Sequence, residues 1–300
     1  MADPDPLAER FEAHRPHLRA VAYRMLGSMA DADDAVQDAW LRFSRADPDG
    51  VDNLRGWLTT VVARLCLDML RSRRARHEDG MGVHLPDPVV SASGGPEPEA
   101  AALLADSIGL AMLVVLETLT PAERLAFVLH DTFGLPFDEI APIVDRTPQA
   151  ARQLASRARR RVRGGTPSSD ISPRRQRELV DAFLRAARAG DFEGLLNVLG
   201  PDVVVRGDTG TRELPAGFSR VVRGADAVAR QALAFRNLAG GARSATVNGA
   251  PGFVVFAGDR PFAVMGFGFG GDRIAAMDVL VDPDRLSRLD LSAVKGQGGS

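Results

Sequence analysis

From Arg146 to Arg163 the chain carries arginine and glutamine but no acidic residue. Ala151, Leu154, Ala155, Ala158 and Val162 recur at steps of three and four, so one face of a helix is apolar. Gln149, Arg152, Gln153, Ser156, Arg160 and Arg163 then share the opposite face. Glutamine and arginine forks match the hydrogen-bonding edges of adenine and guanine, and arginine also matches phosphate oxygens. Such a face can read duplex DNA. A solvated arginine-rich helix would carry the same composition, so the elements around it decide.

Those elements form a capped series. Thr120-Pro-Ala-Glu123 is a capping box with proline at the first helical position, and Leu125, Ala126, Val128 and Leu129 supply a buried stripe behind it. Gly134-Leu-Pro breaks that helix, a short helix over 137–144 buries Ile140, Ala141 and either Ile143 or Val144, and Thr147-Pro148 caps and starts the arginine-bearing helix. Helix, tight turn and second helix with polar groups at its start make a helix-turn-helix.

The N-terminal segment presents a second pair of charged faces. Ala35, Val36, Ala39, Trp40 and Phe43 make an apolar helical stripe, with Asp31, Asp34 and Asp38 on another face. Carboxylates at a helix start also complement its dipole, which accounts for Asp31 and Asp34 better than for Asp38. The helix over 54–76 packs Leu58, Val61, Val62, Leu65 and Met69 inward, leaving Thr60, Arg64, Leu67, Arg71 and Arg74 opposite. Arginines at its end complement the dipole or hold phosphates; taken alone, neither reading wins.

The net charge of −2 keeps any nucleic-acid reading from resting on bulk electrostatics, so charge placement must carry it. Lys295 is the only lysine, and Cys66 alone excludes an intrachain disulfide and a cysteine zinc site. No apolar run reaches the roughly 20 residues a membrane span needs, and the acidic start MADPDPLAE is unlike a signal peptide, so a cytoplasmic protein is expected. His14 and His17 stand one helical turn apart without a third ligand and read as surface residues; no metal or cofactor is expected.

Breaks in composition divide the chain. Residues 78–100 are rich in Gly, Pro and Ser, as is GGTPSSDISP at 164–173. The third segment opens with a helix over 176–189, has another over 225–235, and turns to Val, Phe and Gly in runs at 203–206, 245–247, 252–256, 262–269 and 274–281. These runs read as antiparallel strands. Gly266 to Gly271 fits a dinucleotide fingerprint formally, but no helix follows, so a hairpin is expected.

DADDAVQDAWLRF with NLRGWLTTVVARLCLDMLRSRR resembles region 2 of the extracytoplasmic-function (group IV) RNA polymerase sigma factors, and LTPAERLAFVLHDTFGLPFDEIAPIVDRTPQAARQLASRARRRV resembles their region 4. Arg64-Leu-Cys66 departs from the commoner pattern, which has an asparagine there, and resembles the subgroup with a SnoaL-like (NTF2-like) C-terminal extension. The resemblance implies a multidomain fold: two all-α sigma domains, region 2 at 1–78 and region 4 at 105–165. A flexible linker at 79–104 joins them, and an α+β cone of the SnoaL-like kind follows at 173–290.

It also implies roles. Asp31, Asp34, Asp38 and Trp40 would meet the β′ clamp helices of core RNA polymerase, whose β flap is the expected partner of region 4. Asp52 and Asn53 would face the −10 element, with Arg64, Arg71 and Arg74 on the adjacent backbone. Arg146, Thr147, Gln149, Arg152, Gln153, Ser156, Arg157 and Arg160 would lie at the −35 element. Leu85, Pro86, Asp87 and Pro88 in the linker, and Asp282, Pro283, Asp284, Arg285 and Leu286 near the end, resemble regulatory features of the subgroup. The extension would stand in for a separate anti-sigma factor and modulate activity in cis, with a small ligand in its pocket as a further partner.

Catalysis would belong to the polymerase and not to this chain; Asp208 and Asp278 are the carboxylates that a SnoaL-type enzyme would use. A stand-alone helix-turn-helix regulator is the other reading, but it leaves the N-terminal segment without a task.

Overall fold

A computed structural model describes residues 6–46, 53–76, 83–93, 109–165, 171–210 and 220–295. The chain divides into two compact units, Met1–Gly80 with Val115–Val162, and Met81–Val114 with Arg163–Ser300.

The first unit is all helical. It contains α1 (Pro6–Glu12), α2 (Arg15–Leu26), α3 (Met29–Phe43) and α4 (Leu54–Arg76), then the end of α5 (Leu110–Glu117), α6 (Pro121–Phe127), α7 (Phe137–Ile140) and α8 (Pro148–Gly165). Gly27, at φ 69°, ends α2 in the left-handed region. Ser28 then caps α3 by accepting the Asp31 N–H, so the cap is this serine and not an aspartate. Phe11 sits edge-on to Trp40, with centroids 5.2 Å apart, and Phe43 bridges Phe11 and Trp57.

Helix α4 is buried more widely than a single stripe predicts. Ala63, Cys66, Leu67 and Leu70 are buried along with Leu58, Val62 and Leu65. Val61 and Met69 are only half-buried. Leu67 therefore belongs to the core, contrary to the expectation above. The reason is that α4 is covered on more than one side, by α2, α3 and α6.

The second unit is α+β. Its mixed sheet has the order β1-β4-β5-β6-β7-β2-β3, from β1 (Val90–Ala92), β2 (Leu199–Asp208), β3 (Val221–Arg223), β4 (Ala242–Val247), β5 (Ala250–Ala257), β6 (Arg260–Gly270) and β7 (Arg273–Leu280). Among the described residues six strand pairs are formed, and β2 against β7 is parallel, which corrects the all-antiparallel expectation. Alternation within a strand reports which face is buried, not the direction of its neighbour. Residues 266–270 lie within β6, and the turn falls at 271–272.

The sheet has two covered faces. On one, Val203, Val205, Phe253, Val255, Phe267, Met277 and Val279 pack with α9 (Pro173–Ala189), α10 (Phe192–Val198) and α11 (Ala225–Ala234). On the other, Val247, Val254, Phe256, Val264 and Leu280 pack with Leu110 of α5, with Leu286 and Val294 of the C-terminal helices α13 (Pro283–Arg288) and α14 (Ser292–Lys295), and with Leu291 between those two helices. Between them in sequence, α12 (Arg236–Ala239) follows α11. A Cβ added at Gly266 would lie 2.9 Å from Leu110, so the glycine lets α5 approach the sheet.

The linker expectation needs correction over 83–93. Leu85 is buried and Val90–Ala92 is an edge strand on β4. Asn248 fixes its start, accepting the Val89 N–H at 3.1 Å and donating its own N–H to Val89 O at 2.8 Å. A three-residue strand among prolines and glycines looks like a loop because its pairing energy comes from a partner far away in sequence.

Candidate nucleic-acid interface

The helix-turn-helix forms as its caps require. Thr120 and Glu123 complete the capping box, and Leu125, Ala126, Val128 and Leu129 are fully buried. After α6 the chain continues as a π-helical turn, Val128–Thr132, and bends at Gly134 with φ 71°. The Thr147 hydroxyl accepts the Ala150 N–H at 3.2 Å and starts α8.

On α8, Ala151, Ala155, Ala158 and Val162 are buried and Leu154 is half-buried. Arg146, Thr147, Gln149, Arg152, Gln153, Ser156, Arg157 and Arg160 are all exposed. Arg152 stacks over Phe137 at 5.7 Å, which steadies a guanidinium that still faces solvent.

Arg157 and Arg161 turn back to α6, donating to the two carboxylate oxygens of Glu123 at 3.0 and 2.8 Å. Burial alone would push the Glu123 carboxyl up. Hydrogen bonds from Thr120, the Arg157 contact and the Arg161 charge outweigh it and hold the carboxyl below its ordinary value. Arg157 thus orients α8 on α6. The signal missed in the sequence was the N3 acid of the capping box facing an arginine-rich helix.

In the N-terminal half, Arg64, Arg71 and Arg74 are exposed on α4, and Arg71 lies 3.7 Å from Asp68. Asn53 accepts the Gly56 N–H at 3.0 Å and caps α4, while Asp52 lies outside the described residues. Asp34 and Asp38 are exposed on α3. Asp31 is bound by Arg73, which also donates to Leu26 O at 3.0 Å, so this aspartate locks α3 to α4. Trp40 is half-buried against Phe11.

These two halves touch, through residues with no such role expected from the sequence. Arg124, almost wholly buried, donates to Glu117 Oε1 at 2.8 Å and to the Arg24 carbonyl at 3.3 Å. The Arg24 guanidinium lies 4.9 Å over Phe133, and His17 meets the same ring edge-on at 5.2 Å. His17 is therefore not a surface residue. Thr59 gives its hydroxyl proton to Arg55 O, so it accepts from His17 Nε2, and His17 Nδ1 accepts from Arg55. This network fits a neutral imidazole. Burial, then Arg55, His14 and Arg24, lower its pKa to about 4.

In the second unit, Arg285 draws three stretches of chain together. It donates to Asp87 at 2.5 and 2.8 Å, to Asp208 at 2.6 Å and to the Leu85 carbonyl at 2.6 Å. Asp208 also accepts the Leu85 N–H at 2.9 Å, and Asp282 caps the helix that carries Arg285. Leu286 is buried beside them, with Pro86 and Pro88 also buried. Pro283 occupies the first turn of that helix, and Asp284 donates its N–H to Asp282.

Asp278 pairs with Arg206 at 2.8 Å, and burial pushes its carboxyl up against the opposing effect of that arginine. Alternation puts Asp208 and Asp278 on the sheet face opposite Val205, Met277 and Val279. Neither carboxylate lines the apolar cavity on that inner face. No group of three metal-ligating side chains gathers among the described residues, and no described helix is long and apolar enough to cross a membrane.

A helix-turn-helix with an arginine and glutamine face, packed with a helical half that pairs exposed acids on one helix with exposed arginines on the next, defines a DNA-reading transcription protein. Residues 10–76 match the family model for Sigma-70 region 2, and residues 110–162 match that for Sigma-70, region 4. The chain is 46% identical over 222 residues to the ECF RNA polymerase sigma factor SigJ of Mycobacterium tuberculosis, covering 73% of this chain and 70% of that one. It is 36% identical over 293 residues to the probable ECF RNA polymerase sigma factor SigI of the same organism, covering 96% and 98%. The crystal structure of M. tuberculosis SigJ superposes with a TM-score of 0.76 at 37% identity, over 95% of this chain and 99% of that one. The chain belongs to the extracytoplasmic-function sigma factors, non-enzymatic proteins that direct core RNA polymerase to promoters.

Proposed function

We propose that two surfaces of the first unit do the promoter work. Gln149, Arg152 and Gln153 read base edges at the −35 element, with Arg146, Thr147, Ser156 and Arg160 on the phosphates and Arg157 fixing the helix beneath them. Asn53 with Arg64, Arg71 and Arg74 meets the −10 strand, and Asp52 belongs with them. Asp34, Asp38 and the edge of Trp40 dock on the β′ clamp helices, Asp31 holding the helix in place. The β flap receives region 4.

We further propose that the second unit regulates this activity in cis, without need of a separate anti-sigma factor. What carries this reading is the anchoring of the chain between the two DNA-reading halves. Residues 85–92 are bound to the sheet and to Arg285, and Leu110 is packed on the same sheet face. A tether fixed at both ends limits how far the halves can separate.

Separation is required. The −35 and −10 elements are about 25 base pairs apart, roughly 85 Å at ~3.4 Å per pair. The packed first unit is then a resting form that gives way on the polymerase.

Run-off transcription with purified core polymerase on a promoter library tests the whole. New sequence-selective transcripts are expected, and deletion from residue 283 onward is expected to change their yield while leaving promoter binding in place. Silence from both the full and the truncated chain, each folded, would favour a stand-alone DNA-binding regulator. Unchanged yield after the deletion would remove the cis-regulatory role.

A further inference from the structure

On its inner face the second unit forms a cavity of about 120 Å³ that is open to solvent on one side. Its walls come from helices and sheet alike, with Phe183 of α9, Phe235 after α11, and Phe253, Met265 and Met277 of the strands. Among the described residues lining it, none is charged, and Thr209 and Gln231 supply the polar side chains. A water molecule needs about 10–15 Å³ on this scale and two to four polar partners. A dry cavity of about 150 Å³ holds benzene. This one therefore takes a ligand of on the order of ten heavy atoms only with part of it at the open mouth. Its described lining has too few polar groups to satisfy water in the ligand's place. Hydrocarbon surface satisfies such walls better than water does.

The wall is also joined to the clasp around Arg285. Thr209 lines the cavity while its neighbour Asp208, on the other side of the sheet, accepts from Arg285 and Leu85. Val281 lines it too, and the next residue, Asp282, caps the helix bearing Arg285. The two walls are tied directly, Val281 N–H donating to Asp208 O at 2.7 Å.

We propose that this cavity binds an uncharged, predominantly hydrocarbon molecule of about ten heavy atoms, and that its occupancy tightens the hold of the clasp on residues 85–92. A charged ligand is disfavoured because no described lining group would neutralise it after desolvation. The tightening follows from linkage. A ligand that needs the formed cavity stabilises every contact that shares its walls, and so opposes local opening of the clasp. This coupling rests on the cis-regulatory reading above for its biological meaning, but its measurement needs no polymerase.

The test uses the full chain with 1-naphthol as neutral probe and 1-naphthoate as its anionic counterpart. Calorimetric titration is expected to give saturable one-to-one binding of naphthol and at least tenfold weaker binding of naphthoate. Ala232→Phe fills the cavity from a half-exposed position on α11, so this variant should keep its melting transition and lose binding. Absence of saturable naphthol binding, equal affinity for naphthoate, or undiminished binding by a folded Ala232→Phe would overturn the site.

Hydrogen exchange at the Leu85 and Val89 amides then reads the coupling. At naphthol 100 times its Kd, exchange should slow by between about tenfold and about 100-fold, the upper figure being the linkage limit. Naphthol binding with exchange unchanged would overturn the coupling alone. A failed transcription assay would leave both readings untouched, so the failures are distinguishable.

Discussion

The first unit's seam and the second unit's clasp both hold distant stretches of chain together around an arginine, but they are satisfied to different degrees. In the clasp, Arg285 makes bonds to two carboxylates and a carbonyl, and the cluster of Leu110, Leu286, Leu291 and Val294 adds apolar cover nearby. In the seam, Arg124 is more deeply buried than Arg285, yet its Nη2 finds no acceptor among the described residues. An unmet buried donor costs about 1–3 kcal/mol, and a buried ion pair offsets its own desolvation only in good geometry. The difference teaches an order of events. The seam between the DNA-reading halves is the weaker closure and is expected to open while the clasp holds.

The largest effect should come from the clasp itself. Arg285→Ala leaves Asp208 buried without its cation and removes the Leu85 carbonyl's donor, which should lower the second unit's stability by about 3 kcal/mol. Urea unfolding measures this, and limited proteolysis should show new cuts within 83–93. A loss under about 1 kcal/mol would erase the contrast with the seam.

On the first unit, Arg152→Ala should reduce −35-dependent run-off yield by about 1–3 kcal/mol, roughly 5- to 150-fold, while leaving the melting transition unchanged. A change in stability without a change in promoter choice would mark Arg152 as structural.

The seam should also be the acid-sensitive closure. His17 is neutral in the folded chain, with a pKa of about 4 against 6.5 ordinarily, so the unfolded chain binds more protons between these values. The stability this contributes is fully present above pH 6.5 and is lost as pH falls towards 4. Discounted for the exposure of the ring, it amounts to about 1–2 kcal/mol. Unfolding midpoints for wild type and His17→Gln should differ in slope across that window, and parallel slopes would count against it.

The smallest effect is expected at Glu123→Gln, which keeps the capping box but removes the charge facing two half-exposed arginines. A loss of about 0.5–1 kcal/mol is expected. Because the carboxyl is held below its ordinary pKa, this contribution is present above its unfolded value and vanishes as pH falls through the folded one. Denaturant midpoints near neutrality and at low pH check it.

Much of the helical half was legible, because its signals are local. Thr120 and Glu123 announce α6, Thr147 and Pro148 announce α8, and Ala151, Ala155 and Ala158 mark its buried face. Gln149, Arg152, Gln153, Ser156 and Arg160 followed from the same periodicity, whereas Arg146, Thr147, Arg157 and the assignment of residues to the −10 element came from the family resemblance. The junctions were not legible, because they depend on what lies across the gap. Arg24 and Arg124 are 100 residues apart, and nothing near either one predicts the other. Leu85, Asp87, Asp208 and Arg285 each carried a separate suggestion in the sequence, but their meeting is a property of the sheet register that brings β2 beside β7.

The most direct test of the account follows the distance between the two DNA-reading halves. Fluorescent labels at Arg45→Cys on the N-terminal half and Glu139→Cys on the helix-turn-helix report it, since the native Cys66 is fully buried with its thiol pushed up and should resist labelling. Energy transfer in the full chain should be high when free and fall to near zero in the transcribing complex, where the elements read are roughly 85 Å apart. High transfer retained in a complex that is making sequence-selective transcripts would contradict the resting-form reading and the regulatory role built upon it.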